Sequence, residues 1–318
     1  MELDDAFETF FGAIALGALP EGRIESAWSR LREYLCSAYG LSDRDVFLQG
    51  SYANDTTVRP AFPRDEYDVD VITMSARQTQ STDEALQDLE GVLARDGDYA
   101  KRIERKTPCV RLRYASDDSG YLHFDVVPAR RCDSAPVEIP RRRSSWKEND
   151  PEGYRNWCRS QGSQFIRTVR MLKRWRDIHQ GQRRGVRSVV LQVLVAQAMP
   201  FVARDAHAVA GTFDGIATAV AGHPDAPPPL PHPTLRREDL TANWPDSYYQ
   251  TFREHIIQAS RDAREALADP DEASSHRHWR RLFGDDFPLY SGPSRQPPQP
   301  PPGYPSVPQQ PPRSRWYG

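Results

Sequence analysis

Apolar residues recur with two periods along this chain, and the change from one to the other divides it. Helical spacing comes first. Residues 3–19 and 22–39 predict two helices, the second with Ile24, Trp28, Leu31 and Leu35 on one face and Gly40 as its stop. Alternation of period two follows. Residues 46–48 predict a short strand, then a Gly-Ser turn and a polar stretch, with a loop rich in proline and charge at 59–66. Residues 67–73, YDVDVIT, predict a strand, and 82–95 an amphipathic helix carrying Leu86, Leu89 and Leu93. Residues 108–115 and 121–128 predict a hairpin around the turn signal DDSG at 117–120. Residues 129–162 are expected to be irregular and very basic. Helical spacing then returns at 163–179 (Phe165, Val169, Leu172, Trp175), 188–199, 246–268 and 272–283, around a loop with six prolines in residues 224–233.

The expected order is therefore helices and a mixed α/β sheet over 1–160, a helical lobe over 161–290, and a tail over 291–318. The final 28 residues hold ten prolines, so they are expected to be extended and disordered. At 318 residues and 38% hydrophobic content, there is material for one large domain or two fused lobes. No run approaches the roughly 18 apolar residues of a membrane helix. The acidic start MELDDAFETF does not read as a signal peptide. Cysteines at 36, 109, 132 and 158 show no CxxC spacing, which argues against a zinc knuckle or a disulfide framework and suits a reducing cytoplasm.

Charge changes the picture more than composition does. Residues 1–100 carry 8 basic and 20 acidic side chains, net −12; residues 101–187 carry 22 and 10, net +12. Such an asymmetry suits a site where cations and anions meet, or two lobes that neutralise each other. Arg130, Arg131, Arg141, Arg142 and Arg143 fit a nucleotide groove or a solvated basic surface, and they do not require nucleic acid as a partner. Only Lys101, Lys106, Lys147 and Lys173 stand against 38 arginines.

The chemistry is concentrated in carboxylates. Residues two apart on a strand share a face, so Asp68 and Asp70 project together while Tyr67, Val69 and Val71 turn to a core. Two like charges side by side need a cation, and Mg²⁺ is the natural one for carboxylates with substrate phosphates. Asp125, in the apolar strand LHFDVV, needs a partner too. If its strand neighbours that of Asp68 and Asp70, three carboxylates converge where two ions, roughly 3.5–4 Å apart, could sit. Taken singly, a D-x-D is usually a solvated edge, and an Asp such as Asp125 usually pairs with an arginine. Gln49-Gly50-Ser51 precedes the D-x-D; Gly50 permits close approach of a phosphate, and its N–H and the Ser51 hydroxyl can donate to it.

Residues 46–73, VFLQGSYANDTTVRPAFPRDEYDVDVIT, resemble the core of the DNA polymerase β-like nucleotidyltransferases, in particular the bacterial cGAS/DncV-like enzymes (CD-NTases) of CBASS antiphage systems. HFDVVPA at 123–129, NDPEGYRNW at 149–157, MLKRW at 171–175, RSVVLQVLV at 187–195 and FGDDFP at 283–288 resemble later segments of that family. One departure is Asp55, where the family often has glycine. The resemblance implies a polymerase β-like α/β core sheet with a C-terminal helical lobe and the active site in the cleft between them. It implies a cyclic oligonucleotide synthase that joins nucleoside triphosphates into a cyclic di- or trinucleotide second messenger, sensed by a downstream effector. Asp68, Asp70 and Asp125 would hold two Mg²⁺ (or Mn²⁺) ions. Gln49, Gly50 and Ser51 would hold the donor triphosphate, and Lys173 and Ser188 would reach the phosphates from the helical lobe. On residue chemistry alone, Lys173 reads as a solvated helix lysine and Ser188 as an N-cap. An RNA-extending or linear-product enzyme and a catalytically silent nucleotide- or RNA-binding module remain alternatives on the same fold. The resemblance also makes the terminal Gly318 a candidate for conjugation by an E1/E2-like partner; a tail without a partner is the plain alternative.

Overall fold

A computed structural model describes residues 1–62, 66–115, 120–133, 136–141, 145–179, 186–235 and 237–292. The turn at 117–119, Arg142, Arg143 and the tail from 293 to Gly318 lie outside the described residues.

The chain opens with α1 (Asp4–Ala13) and α2 (Ala18–Tyr39); the single helix expected over 3–19 is two pieces, and the second runs on into the next. Gly40, at φ 65°, closes α2 with its N–H on the Cys36 carbonyl. Then come β1 (Val46–Gln49), a one-turn α3 (Gly50–Ala53) in place of the expected turn, β2 (Glu66–Thr73), α4 (Thr82–Leu93), α5 (Gly97–Ala100), β3 (Ile103–Arg105), β4 (Val110–Arg113) and β5 (Tyr121–Pro128). A Ser81–Glu84 capping box starts α4. Residues 129–162 are not irregular: they hold the hairpin β6 (Val137–Arg141) and β7 (Ser145–Asn149), then α6 (Pro151–Ser160), capped by Asp150. The rest is helical: α7 (Ser163–His179), α8 (Ser188–Ala198), α9 (Asp205–Ala221), α10 (Asp246–Ala268) and α11 (Glu272–Phe283), with a short 3₁₀ turn at Gly284–Asp286.

Five strands form one sheet in the order β1-β2-β5-β4-β3. The central pair, β2 and β5, is parallel, and its register sets Asp70 opposite Asp125 and Asp68 opposite His123. The remaining neighbours are antiparallel, and β4 lays Arg111 opposite Asp125. One face of the sheet buries Tyr67, Val69, Val71, Leu122, Phe124 and Val126 against α2 and α4, as the alternation in YDVDVIT requires. The opposite face carries the carboxylates.

The helical lobe has a separate apolar core around Phe165, Leu172, Trp175, Phe213, Phe252 and Trp279. Although first in sequence, α1 packs there: Phe7 lies edge-on to Trp279 at 4.9 Å, and Phe10 stacks on Phe283 at 4.4 Å. The loop after α3 joins sheet to lobe. Arg59 pairs with Asp286 at 2.7 Å, its N–H donates to the Ile14 carbonyl, and Arg174 donates to the Arg59 carbonyl. No helix among the described residues is long and apolar enough to cross a membrane.

Candidate active site

A cleft of about 700 Å³ separates the carboxylate face of the sheet from α6, α7 and α8. Asp68, Asp70 and Asp125 meet at its floor, each offering a carboxylate oxygen within 4.8 Å of the others. Asp68 is exposed and the other two are half-buried. Burial, reinforced by the charges of Asp68 and Asp125, pushes the Asp70 carboxyl well above the usual range. A half-buried group facing two other carboxylates is stable as an anion only if positive charge arrives, so the donor set fits a hard divalent cation with oxygen ligands.

Asp125 also satisfies the plainer expectation. Arg111 grips it with a fork, Nε to Oδ1 at 2.7 Å and Nη2 to Oδ2 at 2.8 Å, and reaches Glu66 at 3.2 Å. The same acid is thus both arginine-paired and part of the cluster, because β4 and β2 flank β5 on opposite sides. His123, beside it on the same face, is buried, and burial lowers its affinity for a proton.

Gly50 begins α3 at φ 72°, and a Cβ there would lie 2.1 Å from Asp70 Oδ2. The glycine is therefore required by the carboxylate packed against it as well as by its left-handed backbone. The Ser51 hydroxyl accepts from Thr57 at 3.1 Å, and Gln49 Oε1 accepts from Asn149 at 3.2 Å. All three residues line the cleft. Asp55 takes the left-handed conformation, φ 58°, so the loop keeps the geometry a glycine would give.

Lys173 is no solvated lysine. It is buried on α7, lines the cleft, and donates to the Thr56 carbonyl at 2.8 Å. Burial first, then Arg176, lowers its pKa to about 8. Ser188 is the first residue of α8, the cap position belonging to Arg187; its hydroxyl accepts from Arg176 at 2.9 Å. Arg176 in turn pairs with the buried Asp177 at 2.6 Å.

Several cleft residues carry no sequence signal of their own. Gln192 donates to the Thr56 hydroxyl at 2.9 Å and accepts from the Tyr154 hydroxyl at 2.6 Å, which links α8, α6 and the loop after α3. Arg111 had a readable signal: in the hairpin of β4 and β5 its register partner is Asp125. His232 and Glu238 enter from the proline-rich loop, where the chain has no hydrophobic period.

A carboxylate triad on the β2/β5 face, Gly50 and Ser51 at the start of α3 beside it and a buried lysine lining the same cleft suit nucleotidyl transfer. The comparisons with known proteins agree. Residues 1–161 match the model of the Second Messenger Oligonucleotide or Dinucleotide Synthetase domain, and the chain belongs to that family. It is 22% identical over 266 residues to the cyclic AMP-AMP-AMP synthase of Acinetobacter sp., covering 76% of this chain and 72% of that one. Over 112 residues it is 32% identical to the cyclic dinucleotide synthase CdnG of Bradyrhizobium diazoefficiens, covering 34% of this chain and 25% of that one. The structure of that CdnG in complex with GTP superposes with a TM-score of 0.72 at 20% identity, over 89% of this chain and 96% of that one. The fold is thus the polymerase β-like fold of the CD-NTases, and the chain is a nucleotidyltransferase of the cyclic-oligonucleotide-synthase kind.

Proposed function

We propose that this chain joins nucleoside triphosphates into a cyclic di- or trinucleotide that signals infection to a downstream effector, with Mg²⁺ at the aspartate cluster. A 2′ or 3′ hydroxyl of one nucleotide attacks the α-phosphorus of another. One P–O bond forms, the bond to the β-phosphate breaks, pyrophosphate leaves, and the hydroxyl proton passes to base or water; the last transfer, the second for a dinucleotide and the third for a trinucleotide, closes the ring. Asp68, Asp70 and Asp125 would hold the ions, which when bound supply an acidified hydroxyl and neutralised phosphate charge. The protein's own groups do the positioning. Gly50 and Ser51 bring a backbone N–H and a hydroxyl to the donor triphosphate. Lys173, and Ser188 held by Arg176, meet the phosphates from the helical side. Arg111 fixes the rotamer of Asp125, so that this carboxylate faces the attacking hydroxyl in one orientation.

The observation that carries the reading is the register Asp70 opposite Asp125, which brings acids 55 positions apart to one spot. The test is incubation with four labelled nucleoside triphosphates and Mg²⁺, phosphatase treatment, and mass spectrometry. A ring keeps its mass because it has no terminal phosphate. A product wholly degraded to phosphatase-trimmed linear forms would instead indicate a chain-extending enzyme, and no turnover a silent binding module. Conjugation through Gly318 is a separate proposal, tested by intact-mass analysis of the chain recovered from cells with its neighbouring genes; only free Gly318 would end it.

A further inference from the structure

The described residues of the proline-rich loop between α9 and α10 are firmly built. Asp239 Oδ1 accepts from the Leu230 N–H at 3.0 Å and the Thr241 N–H at 2.9 Å, and the Leu240 N–H donates to the Leu230 carbonyl at 2.8 Å. Inside this frame sits His232. Its Nδ1 accepts two backbone N–H groups, from Thr234 at 3.2 Å and Leu235 at 3.1 Å. A nitrogen that faces two donors must present its lone pair, so the ring hydrogen is on Nε2. Burial also favours the neutral ring. Among the described residues no hydrogen bond occupies Nε2, and His232 lines the cleft. It is a donor with its tautomer fixed by the backbone.

Two neighbours complete an arrangement suited to a nucleobase. The Tyr154 ring lies 5.4 Å from the His232 ring, and its hydroxyl is held by Gln192. Glu238 lines the cleft with one carboxylate oxygen engaged by Lys147 at 2.5 Å, which leaves the other as an acceptor. A base edge offering an acceptor beside a donor is matched by His232 and Glu238 and can lie against Tyr154. The His232 backbone N–H donates to the Glu238 carbonyl at 2.8 Å, so donor and acceptor leave facing positions of the loop into the same cleft, and for a base held in one orientation they accept only one order. Adenine and cytosine present an exocyclic amine next to a ring acceptor; guanine and uracil present an exocyclic oxygen next to a ring N–H.

We infer that His232 and Glu238 form a base-reading station against Tyr154 that separates the amino bases, adenine and cytosine, from the oxo bases, guanine and uracil, in one nucleotide subsite. The inference rests on the nucleotidyltransferase reading, because it needs a nucleoside triphosphate in the cleft. It concerns the recognition of a base and is independent of ring closure.

The test is equilibrium binding of the four nucleoside triphosphates, as α,β-nonhydrolysable analogues with Mg²⁺, to the full chain. The wild type is expected to favour one of the two classes by about tenfold or more, since a site built to pair polar groups rejects the reversed pattern. His232→Ala should bring that ratio to within about twofold, weakening the favoured class and sparing the other. Glu238→Gln, which leaves the His232 ring and its two backbone bonds in place, should narrow the ratio too, because an amide can donate or accept. It also decides the matter if His232→Ala does not fold. An unchanged ratio in these variants, an equal loss for all four analogues, or no class preference in the wild type would overturn the inference. Product analysis of the same proteins reads ring formation separately, so a linear product with class-selective binding would sink the cyclase reading alone.

Discussion

The two walls of the cleft are built by different means. On the sheet side, three carboxylates are placed by backbone register, and the Arg111 fork is added to them. On the helical side, Lys173, Gln192 and Ser188 are placed by long side chains that hold one another through Thr56, Tyr154 and Arg176. A wall made by register is stiff and readable from local alternation. A wall made by side-chain links depends on groups more than a hundred positions apart, such as Thr56 and Lys173, and its function is expected to degrade by steps as single links are cut.

The sheet wall should break all at once. Asp68→Asn/Asp70→Asn is expected to lower product formation by more than about a thousandfold. Its melting temperature without added ion should equal or exceed that of the wild type, because the change removes a carboxylate that burial and like charge disfavour. A large drop in thermal stability would instead make these acids structural. Gly50→Ala comes next, at about a hundredfold in rate: the new Cβ would displace the Asp70 carboxylate, and the positive φ adds about 1 kcal/mol of strain. Normal steady-state kinetics in that variant would show that the contact with Asp70 is dispensable.

The helical wall should respond in proportion. Lys173 carries a lowered pKa of about 8, so in the ligand-free protein its ammonium is present below that pH and lost above it. In the proposed role of Lys173 at the phosphates, the charged form is the competent one. The value of kcat/KM is therefore expected to fall by about tenfold per pH unit above pH 8. Lys173→Arg, always charged, should flatten that limb even if its rate at pH 7 is lower. An alkaline limb unchanged in Lys173→Arg would assign it elsewhere. The smallest effect is reserved for the bolt beneath the sheet wall: Arg111→Met should cost about 1 kcal/mol in denaturant unfolding, since it strips half-buried Asp125 of its arginine fork while Glu66 keeps Arg113. No change in midpoint would show that the fork contributes nothing net.

Legibility in the sequence followed the same division. YDVDVIT and LHFDVV announced their strands and their polar faces, because a sheet buried on one side imposes alternation. The hairpin β6–β7 escaped, since VEIPR carries a proline and SWKEN is polar, so neither strand has the apolar alternation that marks a buried one. The helix α9 escaped for the opposite reason. DAHAVAGTFDGIATAVA is buried on most sides, so no single apolar stripe stands out; Gly211 and Gly215 serve close packing, with a Cβ at each only 2.6 Å from Pro200 and 2.9 Å from Ala198. At the site, the three aspartates were visible as residue types. The roles of Thr56, Gln192 and His232 were not, because each is defined by a partner distant in sequence.

The central claim is that Asp68, Asp70 and Asp125 act together as one divalent-cation site, and cation stoichiometry addresses it without turnover. Mn²⁺ binding by the full chain, followed by paramagnetic resonance in the presence of a nonhydrolysable nucleoside triphosphate, is predicted to show two ions per chain, both lost in Asp68→Asn/Asp70→Asn and at least one weakened more than about tenfold in Asp125→Asn. Mn²⁺ binding that is the same in all three proteins would contradict it.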